Sequence, residues 1–418
     1  MIETAQKEER VLLVAVQMGD EWETQESLDE LAELVRTAGG IVVGRVTQAR
    51  ERIHPGTYIG KGKIEEVAAL IEMQDVSSVV MDDELTPAQY NNLTDALAVK
   101  VVDRTMLILD IFAQRASTAE GKIQVELAQL RYRSARLVGL GKSMSRLGGG
   151  IGTRGPGEKK LEMDRRLIGK RISVLREELA EVVRHRELIR SGRKKGKTPP
   201  VAAIVGYTNA GKSTLLNYLT DAGVLAEDEL FATLDPTTRV VLLPCGSEIL
   251  LTDTVGFIRK LPHHLIEAFR STLEEVVYAD LIIHVADASN PRRDAQMAVV
   301  YETLNDLGAG VKPVYTLFNK IDLLENREGH HLWDSHAEKT YCISAKTGEG
   351  IEAFAEGLSE FILQGQILYE ETIPYAKAGL ISRIRSEGQL MTEEYREDGI
   401  YVKALVPSPL YGKLLAEV

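Results

Sequence analysis

The first 118 residues alternate between short apolar runs and segments with helical spacing. Alternation of this kind is typical of an α/β domain whose sheet is largely parallel. The pattern therefore predicts an N-terminal α/β domain over residues 1–118. Its predicted strands cover 11–16, 41–46, 76–81 and 99–102, and its predicted helices cover 27–37, 63–73, 87–97 and 106–113.

Two longer helical segments follow, each with an apolar stripe along one side. Leucine and isoleucine recur in the first at spacings of four, three and seven, and in the second at strict sevens. Such spacing predicts two helices that pack along a seam, and a short connection makes them an antiparallel hairpin over residues 119–198. The stripes consist of Ile123, Leu127, Leu130 and Leu137, then Leu161, Ile168, Ile172, Leu175, Leu179, Val182 and Ile189, with Arg165 and Arg186 interrupting the second.

Strand and helix patterns alternate again from residue 199 onwards. The apolar run 201–205 precedes a helical segment at 214–219, and further strands are predicted at 240–243, 248–252, 314–318 and 341–343. A helix over 350–363 closes a second α/β domain, predicted over 199–366 with a mixed, mostly parallel sheet flanked by helices. Residues 367–418 show short helix and strand patterns, which predict a small α+β domain.

Size and composition set the outer limits of these predictions. A chain of 418 residues is longer than one hydrophobic core usually serves, so several domains are expected. The two cysteines, Cys245 and Cys342, lie far apart in the sequence, which favours a reduced cytoplasmic protein without a disulfide or zinc framework. The N-terminus lacks a basic start followed by an apolar core, and no apolar run approaches the roughly 18 residues that span a bilayer. We expect a cytoplasmic monomer without membrane insertion.

Charge is unevenly distributed along the chain. The net charge is −12, yet residues 131–200 carry 20 Lys+Arg against 7 Asp+Glu, a local net of +13 that leaves −25 elsewhere. Such a split indicates a localised phosphate-facing surface on an otherwise acidic protein. A solvated helix face is an equally good explanation on charge alone.

The connection of the predicted hairpin, residues 139–160, is rich in glycine. It holds eight glycines and five basic residues against one acid. Glycine loses much conformational entropy on ordering, so a partner is needed to order this loop, and glycine also allows close approach to a backbone. Insertion into folded RNA is the sharper interpretation, and a solvated hairpin tip is the alternative. The predicted RNA-binding residues are Lys142, Arg146, Arg154, Lys159 and Lys160.

The strongest chemical motif lies between the strand at 201–205 and the helix at 214–219. Backbone N–H groups of such a loop surround phosphates, Lys212 reaches the β- and γ-phosphates, and the Ser213 hydroxyl can bind Mg²⁺. The pattern alone would arise by chance in roughly one or two chains per hundred of this size, so other motifs must support it. The predicted phosphate loop comprises Gly206, Tyr207, Thr208, Asn209, Ala210, Gly211, Lys212, Ser213 and Thr214.

Two segments downstream complete a phosphate site. The threonines of 231–239 can bond Mg²⁺ and the γ-phosphate, Asp253 can hold Mg²⁺ through water, and the Gly256 N–H can meet the γ-phosphate. Loss of that phosphate would release both segments, which is the physical basis of a nucleotide switch. The predicted contacts are Phe231, Ala232, Thr233, Leu234, Asp235, Asp253, Thr254, Val255 and Gly256, with Lys212, Gly256 and Thr233 in catalytic roles.

Two more runs predict which nucleotide base is bound. The Asp322 carboxylate can accept hydrogen bonds from the N1–H and amino group of guanine, and the Ser344–Lys346 backbone can bond the guanine carbonyl. Adenine lacks donors at those places, so specificity follows from polar groups left unpaired. Each run alone is also an ordinary turn, but several in this order disfavour that explanation. The predicted base contacts are Asn319, Lys320, Asp322, Ser344, Ala345 and Lys346.

Together these residues resemble the G1 to G5 elements of a Ras-like GTPase. The runs 231–235, 253–257 and 152–158 resemble, more narrowly, the HflX family, and the similarity extends to the glycine–lysine run at 58–63. The resemblance implies a P-loop GTPase with Mg²⁺ held by Ser213 and Thr233, a cytoplasmic location and binding to the large ribosomal subunit, with no DNA partner. It further implies GTP-driven splitting of stalled or idle ribosomes under stress. Family members are also reported to bind ATP through the N-terminal region.

One position departs from the Ras-like pattern. Phe257 stands where Ras-type enzymes carry the glutamine that orients the attacking water, so unaided hydrolysis should be slow and a ribosomal subunit should accelerate it. Two alternatives remain at this stage. One is an RNA-dependent NTPase that remodels RNA with an ATP site in the N-terminal domain, and the other is a non-catalytic RNA-binding scaffold.

Overall fold

A computed structural model describes residues 8–144, 156–193, 199–220, 230–231, 237–260, 270–324, 332–364 and 366–417. In the N-terminal domain, four parallel strands lie in the order β2-β1-β3-β4. The prediction of an α/β domain is confirmed. Its elements are β1 (Glu9–Gln17), α1 (Glu21–Thr37), β2 (Gly40–Ala49), α2 (Lys61–Met73), β3 (Ser78–Met81), α3 (Pro87–Leu97), β4 (Lys100–Asp103) and α4 (Arg104–Arg115).

Helices cover both faces of this sheet. Leu13 and other β1 residues pack with α1 and α4 on one face, while Leu12 and Val14 pack with α2 and α3 on the other. A parallel sheet buried on both sides needs apolar residues at every position, which explains the continuous apolar runs of the sequence. Helix α3 begins where the pattern predicts, because Thr86 caps it, Gln89 completes a capping box and Pro87 occupies its first turn.

Two long helices, α5 (Ala119–Met144) and α6 (Pro156–Arg193), follow. The Arg171 guanidinium donates to Glu126 at 2.8 Å, and Leu175 is buried on the predicted seam. The predicted loop at 139–160 is wrong at both ends, because helix covers 139–144 and 156–160. Pro156 supplies the reason at one end, since its φ suits the first position of a helix. Helix α5 also buries a second stripe, including Val125 and Ala128, against the N-terminal domain.

The second α/β unit contains a six-stranded sheet in the order β10-β9-β8-β5-β7-β6. Strand β6 pairs antiparallel with β7, and the other neighbours pair parallel, as the predicted mixed sheet requires. Its elements are β5 (Val201–Gly206), α7 (Lys212–Thr220), β6 (Thr237–Leu242), β7 (Glu248–Asp253), α8 (Arg270–Tyr278), β8 (Leu281–Asp287), α9 (Arg293–Asp306), β9 (Val314–Asn319), β10 (Lys339–Cys342) and α10 (Ile351–Leu363).

The last segment forms a three-stranded antiparallel sheet in the order β11-β13-β12. Alternate residues of β13 are buried against the helices, as expected for a sheet covered on one face. The α+β prediction for this segment is confirmed. Its elements are β11 (Gln366–Ile373), α11 (Gly379–Glu387), β12 (Gln389–Arg396), β13 (Gly399–Pro407) and α12 (Ser408–Glu417). No helix of the described ranges is long and apolar enough to cross a membrane.

Candidate functional site

The predicted phosphate loop lies at the carboxyl edge of the six-stranded sheet, between β5 and α7. Gly206 has φ +154°, and a Cβ there would stand 2.2 Å from the Val285 carbonyl oxygen of β8. Gly211 has φ +94°, and a Cβ there would stand 2.3 Å from Nδ2 of Asn319. Both glycines of the motif are therefore required by their neighbours in the protein, as well as by any phosphate that approaches the loop.

Lys212 provides a buried positive charge in this loop. Its ammonium donates to the carbonyl oxygens of Tyr207 at 2.9 Å and Gly206 at 3.2 Å. Burial lowers the pKa of Lys212 to about 8, although nearby Asp253 opposes the shift. The Thr208 hydroxyl is buried and has no hydrogen-bond partner among the described residues. With the N-terminus of α7 behind it, the loop is suited to bind an anion.

A hydroxyl and a carboxylate meet beside Lys212. The Ser213 hydroxyl donates to Asp253 Oδ2 at 2.7 Å, and Asp253 ends β7 with its side chain fully buried. These are hard oxygen ligands of the type that Mg²⁺ prefers, so the two residues fit that ion. The described ranges contain no group of three or more His, Cys, Asp or Glu side chains able to hold a metal. Mg²⁺ usually keeps several waters and binds through one or two protein groups together with substrate phosphates.

The segment after β7 is bonded to the phosphate loop through its backbone. The Thr208 N–H donates to the Phe257 carbonyl at 2.8 Å, and the Phe257 N–H donates to the Gly206 carbonyl at 3.1 Å. A Cβ on Gly256 would stand 2.8 Å from Thr208 Cγ2 and 2.9 Å from the Lys212 ammonium, so a side chain here would force both groups to move. This arrangement places the Gly256 backbone beside the lysine, where a γ-phosphate would bind.

The Phe257 ring is part of the hydrophobic core. It is 2% exposed and packs in one cluster with Val205, Val276 and Val300. The ring therefore lies among apolar side chains and offers no polar group that could orient a water. In this chain the backbone of residues 256–259, and not the side chain at 257, faces the phosphate loop.

The predicted base-binding residues come together at the ends of β9 and β10. Asn319 bridges two loops, because its Nδ2 donates to the Ala210 carbonyl at 2.8 Å and its Oδ1 accepts from the Ala345 N–H at 2.9 Å. The Ser344 hydroxyl donates to Asp322 Oδ1 at 2.6 Å. The Lys320 ammonium is 2.8 Å from Asp287. These contacts orient Asp322 and connect the base loop to the phosphate loop.

Other predicted residues lie in varied places. Thr214 is in the first turn of α7, Thr254 donates to the Ile204 carbonyl at 2.7 Å, and Lys346 is exposed. Val255 and Phe231 are buried in the same cluster as the N-terminal domain core, with the Phe231 ring 4.7 Å from Phe112. A nucleotide contact by Phe231 stays a prediction.

Several predicted positions have no described side chain. Lys142 lies on α5, and Lys159 and Lys160 lie on α6. Outside the described residues lie Arg146, Arg154, Ala232, Thr233, Leu234 and Asp235.

Sequence reasoning missed a set of N-terminal residues that contact the GTP-site loops. Arg104 is fully buried, and its guanidinium donates to Asp82 at 2.8 Å, to Glu30 at 2.5 Å and to the Arg259 carbonyl at 3.3 Å. The one available signal was position, since Asp82 and Arg104 follow β3 and β4, and the carboxyl edge of a parallel sheet collects functional groups.

Comparison with known proteins gives matches along the whole chain. Three family models match, described as "GTP-binding GTPase N-terminal" at 25–113, "GTP-binding GTPase Middle Region" at 115–193 and "50S ribosome-binding GTPase" at 201–320. GTPase HflX of Lacrimispora saccharolytica is 64% identical over 99% of this chain and 97% of its own length. GTPase HflX of Escherichia coli is 43% identical over 90% and 88%.

A solved structure also resembles the chain. It is a GTP-binding protein from the hyperthermophilic archaeon Sulfolobus solfataricus in complex with GDP. The sequence identity is 24%, and the TM-score is 0.46 over 85% of this chain and 99% of that chain.

Proposed function

This chain belongs to the HflX family of GTPases, and from that membership we propose that it binds the large ribosomal subunit and couples GTP binding and hydrolysis to the splitting or rescue of stalled or idle ribosomes. The observation that carries the proposal is the joining of two features in one chain. The first is a guanine-nucleotide site whose loops are hydrogen-bonded to one another. The second is a helical hairpin, packed on the N-terminal domain, within a segment of local net charge +13.

The nucleotide half of the proposal rests on the loop geometry. The phosphates of GTP would lie on the 206–211 loop against Lys212, and Mg²⁺ would be held by Ser213, by Asp253 through water and by Thr233, which is outside the described residues. When bound, Mg²⁺ neutralises charge on the phosphate oxygens. Asp322, oriented by Ser344, would accept from guanine, which excludes adenine because the carboxylate would then lack a donor.

The ribosomal half rests on the hairpin and on the family model. The excess of basic residues between 131 and 200 suits contact with RNA phosphates, and the rest of the chain, at −25, would be repelled by RNA. The model that matches 201–320 is described as a 50S ribosome-binding GTPase. A chain with this partner would act in the cytoplasm, and we expect it to bind as a monomer and to have no DNA target.

Co-sedimentation with separated ribosomal subunits tests the proposal. The chain should pellet with the large subunit, more with a non-hydrolysable GTP analogue than with GDP, and large subunits should accelerate GTP hydrolysis because Phe257 cannot orient the water. Equal turnover with and without subunits, or pelleting with neither subunit, would contradict it.

Charge reversal locates the contact. The double variant Arg146→Glu and Arg154→Glu should pellet less and show a weaker dependence on salt, because fewer counterions are released on binding. The double variant Arg36→Glu and Arg45→Glu is the matched control, since it reverses two exposed arginines of the N-terminal domain, which pair with Glu33 at 2.9 Å and with Asp29 at 2.6 Å. Equal loss in both variants would show that the effect is general charge and not this loop.

A cavity beside the N-terminal domain is a structural candidate for the alternative, an ATP site in that domain. The cavity, of about 680 Å³, lies between that domain and the hairpin, with Tyr90 and Tyr132 on its wall. Arg136 stacks on both rings, at 4.3 and 4.1 Å, but it already pairs with Asp103. Arg133 and Arg136 are matched in the lining by Asp110 and Asp164, so the cavity offers no excess of positive charge to a triphosphate. Asp322→Asn separates the two functions, because it should abolish GTP use while sparing any ATPase activity of the N-terminal domain.

A further inference from the structure

Asp287 is the last residue of β8 and lies at the carboxyl edge of the GTPase sheet. On one side β8 pairs with β5, where Val285 lies opposite Gly206 of the phosphate loop. On its other side it pairs with β9, where Asp287 lies opposite Asn319 of the base loop. Asp287 therefore stands between the two loops that form the nucleotide site, at the edge where an open parallel sheet binds its ligands.

The Asp287 carboxylate is anchored through one oxygen and holds Lys320 through the other. Its Oδ1 accepts from the Ser289 N–H at 3.0 Å and from the Ser289 hydroxyl at 2.6 Å. Its Oδ2 is 2.8 Å from the Lys320 ammonium, and the two side chains are only 15% and 25% exposed. Water and salt screen a partly buried pair much less than an exposed one, so this contact fixes the position of the ammonium.

The side chain of Lys320 extends from the base end of the site towards its phosphate end. Its backbone lies just before Asp322 and has φ +64°, a left-handed conformation that is uncommon for a residue with a side chain. Burial lowers the pKa of Lys212, and the charge of Lys320 adds to that shift, so the two ammonium groups lie near each other. The four-carbon stem of Lys320 thus runs along the space that a guanine base and its ribose would occupy.

We propose that Asp287 is a positioning residue for guanine-nucleotide binding. Its carboxylate holds the Lys320 ammonium, and this contact lays the apolar stem of Lys320 against one face of the purine ring. Asp322 bonds the edge of the base, and Lys320 covers its face. The inference rests on the guanine-nucleotide site of the proposed function and needs no ribosomal subunit, so its failure leaves the ribosomal proposal intact. A parent chain that bound no guanine nucleotide would overturn both.

Binding and release of a fluorescent GDP derivative test the proposal. Asp287→Ala should raise the dissociation constant about tenfold, the equivalent of one charge-assisted contact, mainly through faster release. Single-turnover hydrolysis at saturating GTP, without ribosomal subunits, should stay within about twofold of the parent rate, because the groups on the reacting phosphates are unaltered. An unchanged dissociation constant, or a hydrolysis rate that falls as far as the affinity, would overturn the proposal.

Two matched controls separate the contact with Lys320 from other effects of the substitution. Asp294→Ala removes an exposed carboxylate of α9 that pairs with Arg293 at 2.9 Å. Ser289→Ala removes the hydroxyl that donates to Asp287, while the Ser289 N–H still anchors the carboxylate. Both variants should bind GDP as the parent does. A loss in either as large as that of Asp287→Ala would mean that general charge or the turn sets the affinity, and it would overturn the assignment.

A double-mutant cycle connects the effect to Lys320. Lys320→Met keeps an apolar stem of similar length without the ammonium, so it should weaken GDP binding by about the same factor as Asp287→Ala. The double variant should bind no more weakly than either, because both changes remove one interaction. Lys320→Met also tests the proposal if Asp287→Ala does not fold. Full affinity in Lys320→Met, or losses that multiply in the double variant, would overturn the coupling between the two residues.

Inosine diphosphate distinguishes the face of the base from its edge. This nucleotide lacks the 2-amino group of guanine but presents the same purine face. Asp287→Ala should therefore weaken the binding of GDP and of inosine diphosphate by the same factor. Asp322→Ala should weaken GDP binding more, because only guanine offers the amino group to the carboxylate. A loss in Asp287→Ala that is confined to GDP would mean that Asp287 acts on the edge of the base through Asp322, and it would overturn the proposal.

Discussion

The two parallel sheets of this chain differ in what occupies their carboxyl edges. At the GTPase sheet, Lys212 faces only loop carbonyls within hydrogen-bond reach, and the Thr208 hydroxyl has no partner among the described residues. At the carboxyl edge of the N-terminal sheet, the charged side chains are instead paired with other groups of the protein. Asp103 accepts from the N–H groups of Leu85 and Met106, each at 2.9 Å, and from the side chains of Tyr132 and Arg136.

This difference shows what makes a sheet edge a ligand site. Topology alone brings polar residues to the carboxyl edge of both sheets. The N-terminal edge then receives partners from the hairpin, through Arg136, and from the GTPase unit, through Arg259 and Lys260. The GTPase edge keeps a buried ammonium facing a loop that suits phosphate. One edge binds nucleotide, and the other joins three parts of the chain.

Removing the central cation of the N-terminal edge should have the largest effect. Arg104→Met keeps the length of the side chain but leaves Asp82 and Glu30 buried without it, which typically costs about 3–5 kcal/mol for a buried pair. Urea unfolding followed by circular dichroism measures the loss. Arg45→Met, which breaks an exposed pair with Asp29, should cost below about 1 kcal/mol. Equal costs would mean that the N-terminal edge is not held by its buried charges.

Removing the cation of the GTPase edge should act on chemistry and not on folding. Lys212→Ala should lower the GTP hydrolysis rate by about 10²–10³-fold, since a positioned charge on the reacting phosphates is lost. Its unfolding curve should stay close to that of the parent, because among the described residues the ammonium bonds only loop carbonyls. Lys312→Ala is the control. Lys312 lies just before β9, and its ammonium donates to the Ala279 carbonyl at 2.7 Å. The variant loses this bond and should hydrolyse GTP normally. Normal turnover in Lys212→Ala would remove the distinction between the two edges.

Much of the GTPase edge can be read from sequence because its residues are local. Gly206, Lys212 and Ser213 sit at fixed spacing between a strand and a helix, and Asn319 with Asp322 follows another strand directly. Each run carries its own structural context, so the order of elements places them together without knowledge of the packing. The same reasoning explains why the strands and helices of the N-terminal domain follow their predicted positions closely.

The N-terminal edge cannot be read in this way, because its contacts are long-range. Tyr207 and Glu30 are 177 residues apart, and Arg259 and Glu26 are 233 apart. Arg104 looks in the sequence like an ordinary first residue of a helix, and only packing shows that it is fully buried. The apolar stripe of α5 was likewise predicted for one seam, whereas its second buried stripe depends on where the N-terminal domain lies.

The N-terminal domain and the GTPase unit also differ in the charge state of a buried basic side chain near the carboxyl edge of each sheet. Arg104 remains charged with two carboxylates around it, whereas His284, paired in register with Val205 of β5, is buried and neutral. Burial lowers the pKa of His284 from 6.5 to about 4, and Asp334 only partly opposes the shift. Its Nδ1 has no hydrogen-bond partner in the described part of the chain.

This histidine should make the GTPase unit sensitive to acid. Between pH 6.5 and about 4 the unfolded chain binds a proton at this position that the folded chain does not. The contribution to stability is therefore complete above pH 6.5 and is lost as pH falls through that window. From pH 7 to 4.5 the parent should lose roughly 2–3 kcal/mol more than His284→Val, which cannot titrate there.

Urea unfolding of both proteins at several pH values, followed by a probe in the GTPase unit, measures that difference. At pH 7 the two should be nearly equal, because valine fills a buried strand position and removes a polar nitrogen that no described group satisfies. Parallel pH profiles would show that folding does not lower the pKa of His284, and the folded chain would then carry a buried charge beneath both edges below pH 6.5. Stability profiles of the parent and the variant that separate only below pH 6.5 would confirm that His284 is buried without a charge. The buried charge of the GTPase unit would then be that of Lys212, at the nucleotide loop.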